Sequence, residues 1–215
     1  MKCRKFTKLG LAMFSVTLLL PATAFAYDAT WYKTDFWSGE YPNGFTLEQN
    51  VAVQIRAKSD VNASRTINCL MNKGATYHPW NHDRVASSKL EFVSFIPTVA
   101  YVIKTPDTVM LREDKTDEEK SVSFAKGDEW IYLTYYAEGA FKLSFRGKYY
   151  SANQDLLEVS QEKDAKASLE VRNEDEWMKL TCANNAVGWL LLSDVVNQPF
   201  FDSPNIIEYG NAKDK

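Results

Sequence analysis

The chain has 215 residues, 25 basic against 28 acidic side chains, and a hydrophobic fraction of 45%. Its net charge of −3, with no Lys/Arg cluster in the body of the chain, argues against nucleic acid and anionic membrane as partners, because both are held by basic patches. The length suits one domain or two small ones.

Residues 1–26 carry the three parts of a cleavable export signal. Lys2, Arg4, Lys5 and Lys8 give a positive start, and Leu9–Leu20 is a twelve-residue apolar run closed by Pro21. Ala24-Phe25-Ala26 then places small residues where a signal peptidase reads. Twelve helical residues span only about 18 Å of a ~30 Å hydrocarbon core, too little for an anchor. Cys3 precedes the apolar run and so does not have the position of an acylated lipoprotein cysteine. The expectation is an exported protein, periplasmic or extracellular, that begins at Tyr27 and has no stable membrane insertion after cleavage. The four bases of the leader are balanced by no acid, so the acidic excess of the remainder grows from three to seven.

Trp31, Tyr32, Phe36, Trp37, Tyr41 and Phe45 crowd the next stretch. A disordered arm would be poor in aromatics, so this segment is expected to pack on the body. Val51, Val53 and Ile55 then alternate with Ala52, Gln54 and Arg56, and Ile67, Cys69 and Met71 with Thr66, Asn68 and Leu70. Both read as half-buried strands, and Lys73-Gly74 as the turn that follows. Asn62-Ala63-Ser64 is formally a glycosylation sequon, relevant only in a eukaryotic host. The stretch from Tyr77 to Asp83 holds His78 and His82, which with Asp83 could ligate zinc. Pro79 opposes a helical turn there and further ligands are wanting, so no metal or cofactor is expected.

Farther on, Glu113 to Lys120 is a run with five acids, but it has no glycine for a calcium loop and reads as a solvated loop. Trp130–Tyr136 is β-branched and aromatic, and Phe141, Leu143 and Phe145 share one face. Turn signals recur about every ten residues, among them Lys126-Gly127-Asp128, Glu138-Gly139, Arg146-Gly147 and Asn184-Asn185. Only 153–166 has helical character, and its charges suit a linker equally well. Met178, Leu180 and Cys182 alternate with Trp177, Lys179 and Thr181, and residues 199–215 read as a tail carrying Phe200, Phe201 and Tyr209. Short strands with no βαβ rhythm make the fold class all-β.

Cys69 and Cys182 are the cysteines left beyond the leader, each on the apolar face of a strand. In an oxidising compartment such a pair is expected to form a disulfide. The alternative, a catalytic Cys182 with a histidine base, has only His78 and His82 to draw on.

Two patterns repeat. Val53-Gln54-Ile55-Arg56 leads to Lys73-Gly74, and Val109-Met110-Leu111-Arg112 leads to Lys126-Gly127-Asp128. Gly139–Leu143 runs through Gly147–Tyr150 to Asp155-Leu156-Leu157, and Trp177–Leu180 through Val187–Leu190 to Ser193-Asp194-Val195. With these motifs the chain resembles the bacterial SH3 (SH3b-like) family over 51–80, 109–158 and 177–196, with Tyr149-Tyr150 standing where that family has Gly-Trp. The resemblance implies small SH3-like barrels, two in number. One reading nests them: a split barrel from 27–104 and 167–198, carrying 105–160 as a second barrel, before the tail at 199–215. The other reading places them consecutively, with Lys89 to Ile103 completing the first.

For function, the resemblance implies an exported, non-enzymatic binding module recognising a cell-wall peptide or glycan, or an envelope or extracellular protein. Shallow grooves lined by Tyr77, Trp80, Tyr135, Tyr136, Tyr149 and Tyr150 would carry the contact, although aromatic rings also plug small barrels. The alternatives are a secreted effector or inhibitor acting on a partner protein, and an envelope hydrolase using paired carboxylates. Gly-rich phosphate cradles, G-x-S-x-G and H-E-x-x-H are absent from the sequence, so no catalytic residue is assigned.

Overall fold

A computed structural model describes residues 27–37, 43–79, 90–136, 138–164 and 173–204. The fold is all-β. Its first part holds β1 (Trp31–Thr34), β2 (Phe45–Leu47), β3 (Val51–Arg56), β4 (Arg65–Met71), β5 (Thr76–Tyr77) and β6 (Glu91–Pro97). The next holds β7 (Val99–Ile103), β8 (Asp107–Glu113), β9 (Glu118–Phe124), β10 (Glu129–Tyr135), β11 (Phe141–Phe145) and β12 (Lys148–Ala152). The one-turn helix α1 (Asp155–Glu158) and β13 (Ser160–Glu162) complete that part. Last come β14 (Asp175–Thr181), β15 (Val187–Leu191), a 3-10 turn at Leu192–Asp194 and β16 (Phe201–Asp202).

Strand pairing sorts these elements by position in the chain. One sheet has the order β1-β6-β14-β15-β3-β4, another β13-β7-β10-β11-β12-β8-β9, and a small third β16-β2-β5. The second sheet is thus built wholly from 99–162, between β6 and β14 of the first. Its membership differs from the boundaries read in the sequence: β7, placed there with the flanking unit, belongs to the second sheet, and β13 closes that sheet's edge.

The repeat is legible in the strand order itself. In the first sheet β6-β14-β15-β3-β4 run side by side, and β10-β11-β12-β8-β9 run in the same sense in the second. Both copies place their Lys-Gly turn against the strand before the β3 or β8 hairpin. Leu47 donates its N–H to Ala75 O (3.0 Å) while Gly74 donates to Leu47 O (2.8 Å). Ile103 donates to Asp128 O (2.9 Å) while Gly127 donates to Ile103 O (2.9 Å). Both glycines lie at positive φ, 77° and 90°, which is why glycine recurs at this step. A short helical turn follows each last hairpin: Leu192–Asp194 in one copy, α1 in the other.

The expectation of closed barrels is corrected by the pairing. β1 and β4 remain edges of the first sheet, and β13 and β9 edges of the second. Within the first sheet β15 and β3 share a single paired position, Trp189 with Arg56. The close approach there requires Gly188, whose position would set a Cβ 2.7 Å from Arg56 O.

Each sheet has its own core. Ile55, Cys69, Met71, Met178, Leu180 and Leu190 meet Trp37, Phe45 and Leu47 in the first. Trp130, Phe141, Leu143, Phe145, Phe124 and Leu111 fill the second. The opposite face of the first sheet is also covered, by Val93, Trp177 and Leu191 packed with Tyr27, Phe95 and Trp189. Trp177 is therefore buried although it alternates with Met178, which strand periodicity assigns to opposite faces. Cys69 and Cys182 are bonded, 113 positions apart in sequence, and both are buried in the first core. The disulfide fits an oxidising environment. Among the described residues no helix is long and apolar enough to cross a membrane.

The aromatic segment that begins at Tyr27 packs on the body as expected, over the residues described. Tyr27 stacks on Phe95 with ring centroids 3.7 Å apart, and its hydroxyl accepts from Trp177 Nε1 (2.8 Å) and donates to Asp175 (2.9 Å). Farther along, Phe36 stacks on Tyr136 of the second sheet (5.8 Å). Residues 153–166 resolve into α1 followed by β13 over the positions described, neither a long helix nor a linker.

Candidate functional site

Five of the six aromatic candidates lie among the described residues and fall into three groups. Tyr77 packs against Phe45 in the first core, where burial pushes its hydroxyl pKa up, and Tyr150 is buried in the second core. Tyr135 and Tyr136 are half-buried: the Tyr135 hydroxyl accepts the Gly139 N–H (3.2 Å), and Tyr136 lies under Lys142 (5.8 Å). Tyr149 is open to solvent, with 47% of its surface exposed. Trp80 lies outside the described residues, as do His82 and Asp83.

Tyr149 owes its exposure to register. Phe141, Leu143 and Phe145 of β11 point into the core, so Lys142 and Ser144 point out. Ser144 stands opposite Ile131 on one side and Tyr149 on the other, and Ala100 stands opposite Ile131. The outer face thus carries the row Ala100–Ile131–Ser144–Tyr149, small in the middle with exposed apolar groups beside it. Met110, on β8, is exposed on the same face. The neighbouring row is polar: Thr134, Lys142, Ser151 and Arg112.

Lys142 organises one end of this face. Its ammonium lies 2.5 Å from the Asp114 carboxylate. Burial opposes its charge, but hydrogen bonds to Asp114 and Tyr136 outweigh that and hold its pKa above the ordinary lysine value. The acidic run is hairpin rather than open loop, with Glu113 ending β8 and Glu118–Lys120 opening β9. Glu113 is buried between Lys120 (2.6 Å) and Lys148 (3.2 Å), whose hydrogen bonds lower its pKa.

A concavity lies on the first sheet. A groove of about 540 Å³ runs beside the first four residues of β3, with Leu190, Asp194, Val195 and Gln198–Phe201 on its far side. At its rim Phe200 is 45% exposed and holds φ at 73°. For a non-glycine residue this left-handed conformation costs about 1–2 kcal/mol, and such strain collects at functional surfaces. Glu48 N–H donates to Phe200 O (2.9 Å) and β16 pairs with β2, which holds the ring in place. A further hollow of about 530 Å³ lies on the other side of Phe200, lined by Thr46–Gln49, Lys73 and Asp202.

Ionisable groups concentrate near Asp194. Arg56, buried, and Arg65, half-exposed, both pair with its carboxylate, and Arg56 also lies over the Trp177 ring (5.2 Å). On β14, Glu176 continues a polar row with Ser94 and Thr34 across three strands. Burial pushes the Glu176 pKa up to about 7, the Asn43 amide opposes the rise and Glu174 adds to it. Burial likewise raises Asp175.

A carboxyl with a raised native pKa stabilises the fold most where it is neutral in both states. For Glu176 that is below about pH 4.5, the ordinary glutamate value. Between there and about pH 7 the unfolded chain ionises first, so stability falls with rising pH and then levels off. Urea midpoints measured across this window should decline, and Glu176→Gln should flatten most of the decline. An unchanged slope in that variant would place the titration elsewhere.

His78, weighed in the sequence as a zinc ligand, is buried beside Gly44. Among the described residues no three His, Cys, Asp or Glu side chains gather as a metal site. Cys182 is held in the disulfide, which overturns the alternative of a cysteine nucleophile. Sequence reasoning missed Ile131, Met110 and the Phe200 rim. Phe200 and Phe201 stood out only as aromatics beyond Pro199, a weak signal. No known protein family, curated protein or solved structure matches the chain.

Proposed function

We propose that this protein is an exported, non-enzymatic binding module of the cell envelope or extracellular space. Its ligand is a cell-wall peptide or glycan, or an envelope protein, and the contact is made on the outer face of the second sheet. The observation that carries this reading is the row in which exposed Ile131 and Tyr149 flank half-buried Ser144 on adjacent strands. Two exposed apolar groups about 10 Å apart, from two strand spacings, with a small residue between them, make a shallow platform. An aromatic ring with a polar tip on such a platform can stack on a sugar or pack on a peptide while its hydroxyl stays hydrogen-bonded. The repeated strand order supports two SH3-like units, the second carried inside the first, and the disulfide together with the export-type leader supports secretion.

Co-sedimentation with purified insoluble peptidoglycan, and capture from envelope extracts, test the reading. Tyr149→Ala should weaken retention by about 1–2 kcal/mol and leave the melting temperature nearly unchanged. Tyr150→Ala should instead lower stability, since its ring is core. Retention that survives Tyr149→Ala, or turnover of the captured material, would remove the reading.

A further inference from the structure

We propose that the groove beside β3 accepts an extended, uncharged polypeptide segment of a partner protein as an added strand. The site lies on the first sheet and stands independently of the Tyr149 face.

The argument begins with main-chain direction. Leu70 O accepts from Ala183 N–H (2.7 Å) and Asn68 O from the Asn184 amide (2.9 Å), so these β4 residues aim their main-chain groups away from β3. Directly opposed residues of an antiparallel pair share that direction. Ala52 faces Leu70 and Gln54 faces Asn68, so both aim their N–H and C=O groups away from β4 and into the groove. Among the described residues the only paired position on that side of β3 is Arg56 with Trp189. After Leu191 the chain turns into Leu192–Asp194, and among the described residues no strand pairs with Val51–Gln54 on that side.

Two donor–acceptor pairs on a two-residue repeat are the complement of an extended main chain, and β-strand addition is the binding mode that uses them. A glycan offers no such repeat. The far wall supplies side-chain contacts from Val195 and Phe200, the latter held over the rim in a strained conformation. The charged lining residues, Arg65 and Asp194, are paired with each other at 2.7 Å, and Asp194 also holds the buried Arg56, so both lining charges are already engaged. An uncharged segment with an apolar side chain therefore fits better than a charged one.

The test is selection of a capped octapeptide library, randomised over uncharged residues, against the disulfide-intact protein. Selected peptides should slow hydrogen exchange at the Ala52 and Gln54 amides at least tenfold. N-methylation of alternate peptide residues, in the register that faces β3, should abolish binding. Phe200→Gly, which removes the ring and suits the positive φ, should weaken binding at least tenfold with no loss of melting temperature. Ala52→Pro, which removes a groove-facing donor, should act in the same direction. The proposal is overturned by a selection that enriches no peptide, or by binding that the N-methylated peptides match. It is equally overturned by protection confined to the Tyr149 face, or by a concentration-dependent dimer that protects Ala52 and Gln54 without peptide. Loss of binding in Tyr149→Ala, with groove binding intact, would show that the two sites are separate.

Discussion

Cys69→Ala and Cys182→Ala should each lower the free energy of unfolding by about 4–5 kcal/mol, the chain-entropy value for a closed loop of this length. The bond joins positions 113 apart, and the entire second sheet lies within the loop it closes. Both sulfurs sit in the first core, beside the β3–β4 hairpin on one side and the β14–β15 hairpin on the other. Without the bond, the two parts of the first sheet must find each other across the intervening chain. Because either substitution deletes the same link, the double variant should be no worse than about either single one. Urea denaturation of the three variants, with the reduced wild type as a fourth sample, checks this. Markedly unequal single effects, or additive ones, would mean that side-chain packing and not the cross-link dominates.

Trp130→Ala should cost about 3–5 kcal/mol, in the range for deleting a buried indole. The ring is 1% exposed and stacks on Tyr101 (4.5 Å) and Phe141 (5.7 Å). Its Nε1 donates to Ser160 Oγ (3.0 Å), and that hydroxyl donates to Leu156 O (2.6 Å). One side chain therefore ties β10 to both α1 and β13, the edge of the sheet. Trp130→Phe separates the contributions: it keeps an aromatic stack, loses the N–H donor, and leaves the Ser160 hydroxyl still bonded to Leu156. The expected cost is smaller, and protection should be lost first at β13, whose main-chain bonds to β7 are few. Native-state hydrogen exchange reads that order. Uniform loss across the sheet in Trp130→Phe would instead show that the indole acts through packing alone.

Several features were decided within the sequence itself. Alternation of apolar and polar residues set the all-β class and put Cys69 and Cys182 on inward faces, because strand periodicity is local. The Lys-Gly turns were legible because a positive φ selects glycine wherever the chain must bend that way. The pairing of the cysteines followed from Cys69 and Cys182 being the two that lie on strand faces. What alternation cannot supply is which face of a strand is covered. Tyr149 and Tyr150 are adjacent and must point oppositely, but only the packing of the second core decides that Tyr150 is interior and Tyr149 is surface. Trp177 and Met178 show the further case in which both faces are covered. Sheet membership was likewise a tertiary outcome, since β7 is assigned by its bonds to β10 and β13 by its bonds to β7. The open edge of β3 depends on how β15 departs after Trp189, and the Phe200 rim on a strained residue in what read as a tail. Both arise from contacts between segments more than a hundred residues apart, which no local pattern encodes.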